Sequence, residues 1–216
     1  MKQLTLLFLF TAFSAVVVKA QSPQYKEAMA KQVSLLDQGS SYNSQTLLEI
    51  SNTFERIAAT ENSQWLPYYY AAYAQVMSAF MQQDKTRMDE LADKADGNLA
   101  KAEALHQNSD EIACLKSLVA TARINVDPPS RGPQYGPESG QQLQKAKQLN
   151  PENPRVYLLE GQMLYYTPEQ FGGDKAKAKE TLKLALEKFA SFKPADNIAP
   201  HWGIERTKQL LEEAGK

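Results

Sequence analysis

Three side chains in the 216-residue chain have the reactivity usually asked of a nucleophile or a transition-metal ligand: Cys114, His106 and His201. They are far apart in sequence, and no HExxH, GxSxG or paired-cysteine pattern surrounds them. The carboxylates are scattered as helix-surface charges, without the spacing of a metal site. The sequence therefore offers no catalytic residue, no metal ligands and no cofactor-binding motif. Cys114 falls among Ile112, Leu115, Leu118 and Val119 and reads as a small core residue, with a reactive or pairing thiol as the alternative. Phe171-Gly172-Gly173-Asp174 has the composition of a phosphate cradle but not the spacing of a P-loop, and Asp174 at a helix start repels an anion. A structural turn, with Phe171 packed and Asp174 as a cap, is the stronger reading. Tyrosines offer more. Tyr68, Tyr69, Tyr70 and Tyr73 crowd one helix, and three consecutive residues fan over about 200° at helical pitch, so they cannot all enter one core. Tyr69 and Tyr73, four apart, share a face that either lines a groove or packs between helices.

Charge and composition narrow the setting. Residues 1–20 combine an early Lys2, an apolar run from Leu4 to Val18 and a small-residue site at Val18-Lys19-Ala20, the pattern of a secretory signal peptide. The run is broken by Thr11 and Ser14 and is shorter than the roughly 20 residues a membrane span needs. Removing Lys2 and Lys19 leaves 22 basic against 25 acidic residues, a formal charge of −3. Such a balance argues against a nucleic-acid partner. The expected product is exported, periplasmic or secreted, without a stable membrane anchor after cleavage, and folds as a single domain over 21–216.

Helical periodicity supplies the elements that hold these residues. Apolar residues recur at steps of three and four through pairs of segments at about 24–60, 64–106, 110–149 and 153–191, with a final polar-faced helix at 201–214. Gly39 ends the first helix at a GSSYNS turn. Asn153 and Asp84 are placed as caps, and Pro154 sits at a first helical position where its missing N–H costs nothing. Gly161 lies mid-helix, where glycine costs roughly 1 kcal/mol relative to alanine, and implies a close neighbour. DPPSRGPQYGPESG, with four prolines and three glycines, is expected to be a loop rather than helix throughout.

Within the second helix of each pair the spine alternates small and large: Ala95-Leu99-Ala102, Ser139-Leu143-Ala146 and Ala178-Leu182-Ala185, with Ile50-Phe54-Ile57 at the same steps. Pro151 follows Ala146 at a step of five. This pattern resembles the tetratricopeptide repeat (TPR), best over 150–189. The resemblance implies an all-α, right-handed solenoid of antiparallel hairpins with a C-terminal capping helix. The spines repeat at 45, 44 and 39 residues, longer than the usual period of about 34. In the third and fourth pairs the growth is expected in the turn between first and second helix.

Carrying the family's groove positions onto this chain from Gly161 gives Arg155, Leu158, Gln162 and Tyr165, against the plainer reading of a solvated helix face. Arg155 would clamp a carboxylate, Gln162 would hydrogen-bond a peptide and Tyr165 would offer a flat face with a polar tip. The two inserted turns, sharing one edge of the stack, would bring Arg131, Tyr135 and Phe171 together with Gly172 and Gly173. The function expected on this basis is a non-enzymatic scaffold that binds a protein or extended peptide along its concave groove. The rival is a solute-binding or transporter-associated protein with an enclosed, tyrosine-rich pocket.

Overall fold

The computed structural model describes residues 22–37 and 43–215. The signal-peptide pattern and the Gly39 turn lie outside the described residues. Nine α-helices follow in order among these residues: α1 (Pro23–Leu36), α2 (Ser44–Thr60), α3 (Leu66–Phe80), α4 (Lys85–Leu105), α5 (Asp110–Val126), α6 (Pro128–Leu149), α7 (Pro154–Tyr166), α8 (Lys175–Ser191) and α9 (Ile204–Glu213). Most of the starts are written in short polar side chains. The side chains of Ser22, Asn43, Asp84, Ser109, Asn153 and Asp174 each accept a bond from a first-turn N–H that would otherwise be orphaned.

The helices pair as consecutive antiparallel hairpins and stack in order, with α9 closing the far end against α8. The small–large spines of α4, α6 and α8 are buried throughout, and Ser139 exchanges a hydrogen bond with Ser117 across the third hairpin (2.8 Å). Gly161 is where α8 comes closest to α7. A Cβ there would sit 2.7 Å from Leu182 Cγ, so the absent side chain sets the packing distance.

The segment expected to be a loop is helix. α6 starts immediately after Asp127 and carries Pro133 and Pro137 inside it. Pro129, Pro133 and Pro137 are four apart, and all three are exposed. Each missing N–H therefore leaves its carbonyl partner on one water-facing stripe, where solvent satisfies it. The inward side is held by Arg131, which grips Asp89 of α4 with two bonds of 2.5 and 2.7 Å. Arg123, on Asp93 and Asp96, also lies over the Tyr135 ring at 5.8 Å. The third pair has thus grown in its second helix, not in its turn. Glycine and proline content misled because it reports local propensity, and here solvation and ion pairs override it.

Candidate functional site

The first helices α3, α5 and α7 lie side by side, and one buried acid ties them together. Glu111 of α5 accepts from Tyr69 Oη of α3 (2.9 Å) and from Arg155 Nε of α7 (2.9 Å). Asn153 Nδ2 donates to the same carboxylate at 2.8 Å and to Asp110 at 2.9 Å. Arg155 is fully buried. Burial pushes the Glu111 carboxyl above its ordinary range, opposed by the Arg155 charge and by the bonds from Arg155 and Tyr69. Burial also raises the Tyr69 and Tyr70 hydroxyls, with the Glu111 charge adding to it.

Over this layer runs the segment 192–203, a strap between α8 and α9 that visits the hairpins at both ends. Phe192 covers the Arg155 guanidinium at 4.6 Å. Asp196 caps a turn by accepting from Ile198 and Ala199 N–H, and Ile198 is buried where its carbonyl accepts from Tyr70 Oη (2.9 Å). His201 bonds Ala199 O through Nδ1 and Asp37, after α1, through Nε2 (2.7 and 3.0 Å). Trp202 donates Nε1–H to Tyr69 Oη (2.8 Å) and stacks on Tyr73, with centroids 4.9 Å apart and planes at 24°. Gly203 then turns the chain into α9 at φ +117°, and a Cβ there would strike Leu158 and Phe189 at under 3 Å. Only glycine satisfies both demands.

One turn further along α3 the strap still reaches Tyr73 through Trp202, and beyond that no strap residue stacks on the face among the described residues. Counting 11 residues from Tyr69, Glu111 and Arg155 reaches Phe80, Ala122 and Tyr166, which share the face by helical register. Ala122 is buried, whereas Tyr73, Met77 and Phe80 are half-buried and Tyr166 is 55% exposed. Arg206 of α9 donates to Tyr166 Oη at 2.7 Å, setting a cation at the margin. Glu213 balances that cation, pairing with Arg206 at 3.4 Å and accepting from Tyr166 Oη at 3.2 Å, so this half presents rings and a thioether beside an ion pair.

Among solved structures the chain is similar to the HusA haemophore from Porphyromonas gingivalis, at 39% sequence identity and a TM-score of 0.80. The match covers 90% of this chain and 94% of that one. The chain belongs to the HusA family. No protein-family model matches it, and no curated protein sequence does.

In this member of the HusA family the residues singled out from sequence divide into three groups. Tyr69, Arg155 and Leu158 are buried beneath the strap, so a ligand reaches them only if residues 192–203 move away. The carboxylate that Arg155 clamps is the chain's own Glu111. Tyr73, Gln162 and Tyr165 are half-buried; Tyr165 packs edge-on to Tyr166 and lies under Lys175 Nζ at 5.6 Å. Arg131 and Tyr135 lie over α4 and α5 in ion-pair and cation–π contacts, while Phe171 projects with 74% of its surface exposed. Phe171 was expected to be packed, but the 3-10 turn Glu169–Phe171 holds it outward, and Asp174 alone caps the helix. No contact joins Phe171 to Arg131 or Tyr135 among the described residues. His201 and Trp202 tie the last helix to the last hairpin, where Arg155 lies over the Trp202 ring at 5.7 Å, and also to the first and second hairpins.

Sequence reasoning missed Glu111, Phe80, Tyr166 and the strap. Glu111 had a signal: it and Asp110 are the only acids in DEIACLKSLVATARI, in a helix otherwise almost wholly buried.

Proposed function

We propose that this chain is an exported, non-enzymatic binding protein that holds haem or a closely related flat macrocycle on the open half of its concave face. The observation that carries the reading is the pair of rings at Phe80 and Tyr166, beside Met77 and running up to the stacked Tyr73 and Trp202. Aromatic and thioether side chains gain most from flat apolar ligands, and Met77 adapts to an irregular edge. The kinship with a haemophore supplies the ligand class, and the leader pattern at 1–20 supports export. Arg206 borders this face, and a ligand carboxylate would meet it in exchange for Glu213, its present partner. Histidine ligation of the iron has little support on this face: both ring nitrogens of His201 are engaged, and His106 stacks on Trp65 beyond the end of α4. Recognition therefore rests chiefly on ring faces. Glu111, the one buried acid among the described residues, is committed to Arg155, Tyr69 and Asn153, which supports binding rather than catalysis.

A protein or extended-peptide ligand along the concave groove is the second reading. The strap favours it in one respect, because residues 192–203 already lay a non-helical segment along that face. They also occupy the place a peptide would take, so such a partner must displace Ile198 and Trp202 first. The haem reading requires no such exchange.

Titration of the mature protein with haem tests the choice, followed by the visible absorbance of the ligand and by the emission of Trp202 in a Trp65→Phe background. Saturable binding that Phe80→Ala and Tyr166→Ala weaken supports the proposal. Absence of binding, or equal affinity in both variants and the parent, overturns it.

A further inference from the structure

On the opposite side of α3 from the strap, between the second helices α2 and α4, lies a cavity of about 280 Å³. It differs in kind from the concave face. Its floor is three polar side chains that are almost completely buried: Ser51 (1% exposed), Gln75 (2%) and Asn98 (4%). Two of them converge on one carboxylate oxygen, with Gln75 Nε2 and Asn98 Nδ2 donating to Glu55 Oε1 at 3.0 and 2.8 Å. Asn98 Nδ2 also bonds Gln75 Oε1 at 3.0 Å, and Ser51 donates to Ala71 O at 3.2 Å. These bonds consume donors. The acceptors left over are Glu55 Oε2, Asn98 Oδ1 and the Ser51 lone pairs, none with a donor among the described residues. An acceptor-rich floor around a carboxylate calls for a positively charged, multiply donating group. Lys94 and Lys101, seven residues apart on α4, stand on the rim with the opposite sign.

Gly97 adds an independent observation. It lies in the interior of α4 and lines the cavity, yet a Cβ built on it meets nothing within 4 Å. No neighbour forces glycine there, and the helix loses roughly 1 kcal/mol by having it. Gly97 is exposed, and its missing side chain leaves the mouth of the cavity open.

We propose that this cavity is a second ligand site, for a small zwitterion of the free α-amino acid class. The ammonium group donates to Glu55, Asn98 and Ser51 on the floor, and the carboxylate meets Lys94 and Lys101 at the rim. The volume lies at the low end of ligand pockets, which span roughly 300–1,000 Å³, and suits one amino acid or a dipeptide. This site does not depend on the haem reading.

The test is calorimetric titration of the full mature protein with L-alanine and L-leucine, with the N-acetyl and amide derivatives of each alongside. Saturable binding of a free amino acid is expected, and loss of either charge should weaken it by about tenfold or more, as for a charge-assisted hydrogen bond. Gly97→Leu should abolish binding while raising or preserving the melting temperature, because it closes the mouth of the cavity and improves the helix. Glu55→Gln should erase the preference for the free ammonium over its acetylated form, a readout that a purely structural Glu55 would leave unmoved. Failure of both amino acids to bind at tens of millimolar, or unchanged binding in Gly97→Leu, overturns the proposal.

Discussion

The two halves of the concave face are made by the same three helices at the same spacing, yet they have opposite fates. In one, Tyr69, Glu111 and Arg155 are sealed by residues 192–203. In the other, Phe80 and Tyr166 stay accessible beside a buried Ala122. Helical register brought all six residues to one surface. A segment about 40 residues or more away in sequence from each of the first set decided which of them solvent can reach. A repeat scaffold therefore fixes where side chains point, while the length of available groove is set by whatever the chain lays across it.

The largest effect should come from breaking the sealed half. Arg155→Ala leaves Glu111 buried without its charge partner and should cost about 3–5 kcal/mol, measured by denaturant unfolding. A loss under about 1 kcal/mol would mean that the acid finds another partner or stays protonated, and the sealed half would not be the structural one. Gly203→Val comes next. Both the positive φ and the contacts with Leu158 and Phe189 oppose it, for a loss of roughly 2–3 kcal/mol. Increased solvent exposure of Trp202 emission in the Trp65→Phe background should accompany that loss.

Tyr166→Ala sharpens the contrast from the open side. Stability should change little at this exposed position, whereas haem affinity should fall by roughly tenfold with the loss of one stacking ring. If stability falls and affinity does not, the two halves have been assigned the wrong way round.

The smallest effect lies outside the face. Arg131 holds the Asp89 carboxyl below its ordinary range, chiefly through its hydrogen bonds. A depressed folded-state value means that this stabilisation is present above the unfolded value near 3.8 and is lost as pH falls through the folded one. The pair is partly exposed, so the contribution should be under about 1 kcal/mol. Arg131→Gln should remove that part of the acid sensitivity below about pH 4.

The fold was legible wherever local chemistry decides. Asp84, Asn153 and Asp174 announce helix starts, and the alternation Ala178-Leu182-Ala185 announces a packed spine. Gly161 announced the close approach of α8. α6 was not legible, because three prolines at four-residue spacing look like a loop until an exposed stripe and the Arg131–Asp89 pair are known. The site was legible only in part. Tyr73 could be put on the inner face by periodicity and Arg155 by the resemblance to the tetratricopeptide repeat, but nothing local distinguishes a residue facing solvent from one facing Phe192 or Trp202. Phe80 and Tyr166 were reachable by extending the same count by 11 residues.

The strap also changes how the molecule comes apart. A stack of hairpins in which each contacts only its neighbours can lose its end units one at a time. Here Tyr70 holds the carbonyl of Ile198, 128 residues away, and Asp37 holds His201, 164 away. The first and last hairpins are latched to each other, so neither can fray without releasing the other. Unfolding should follow a single cooperative transition, and amides of α1 and α9 should exchange with water at rates set by the whole domain rather than by their positions at its ends.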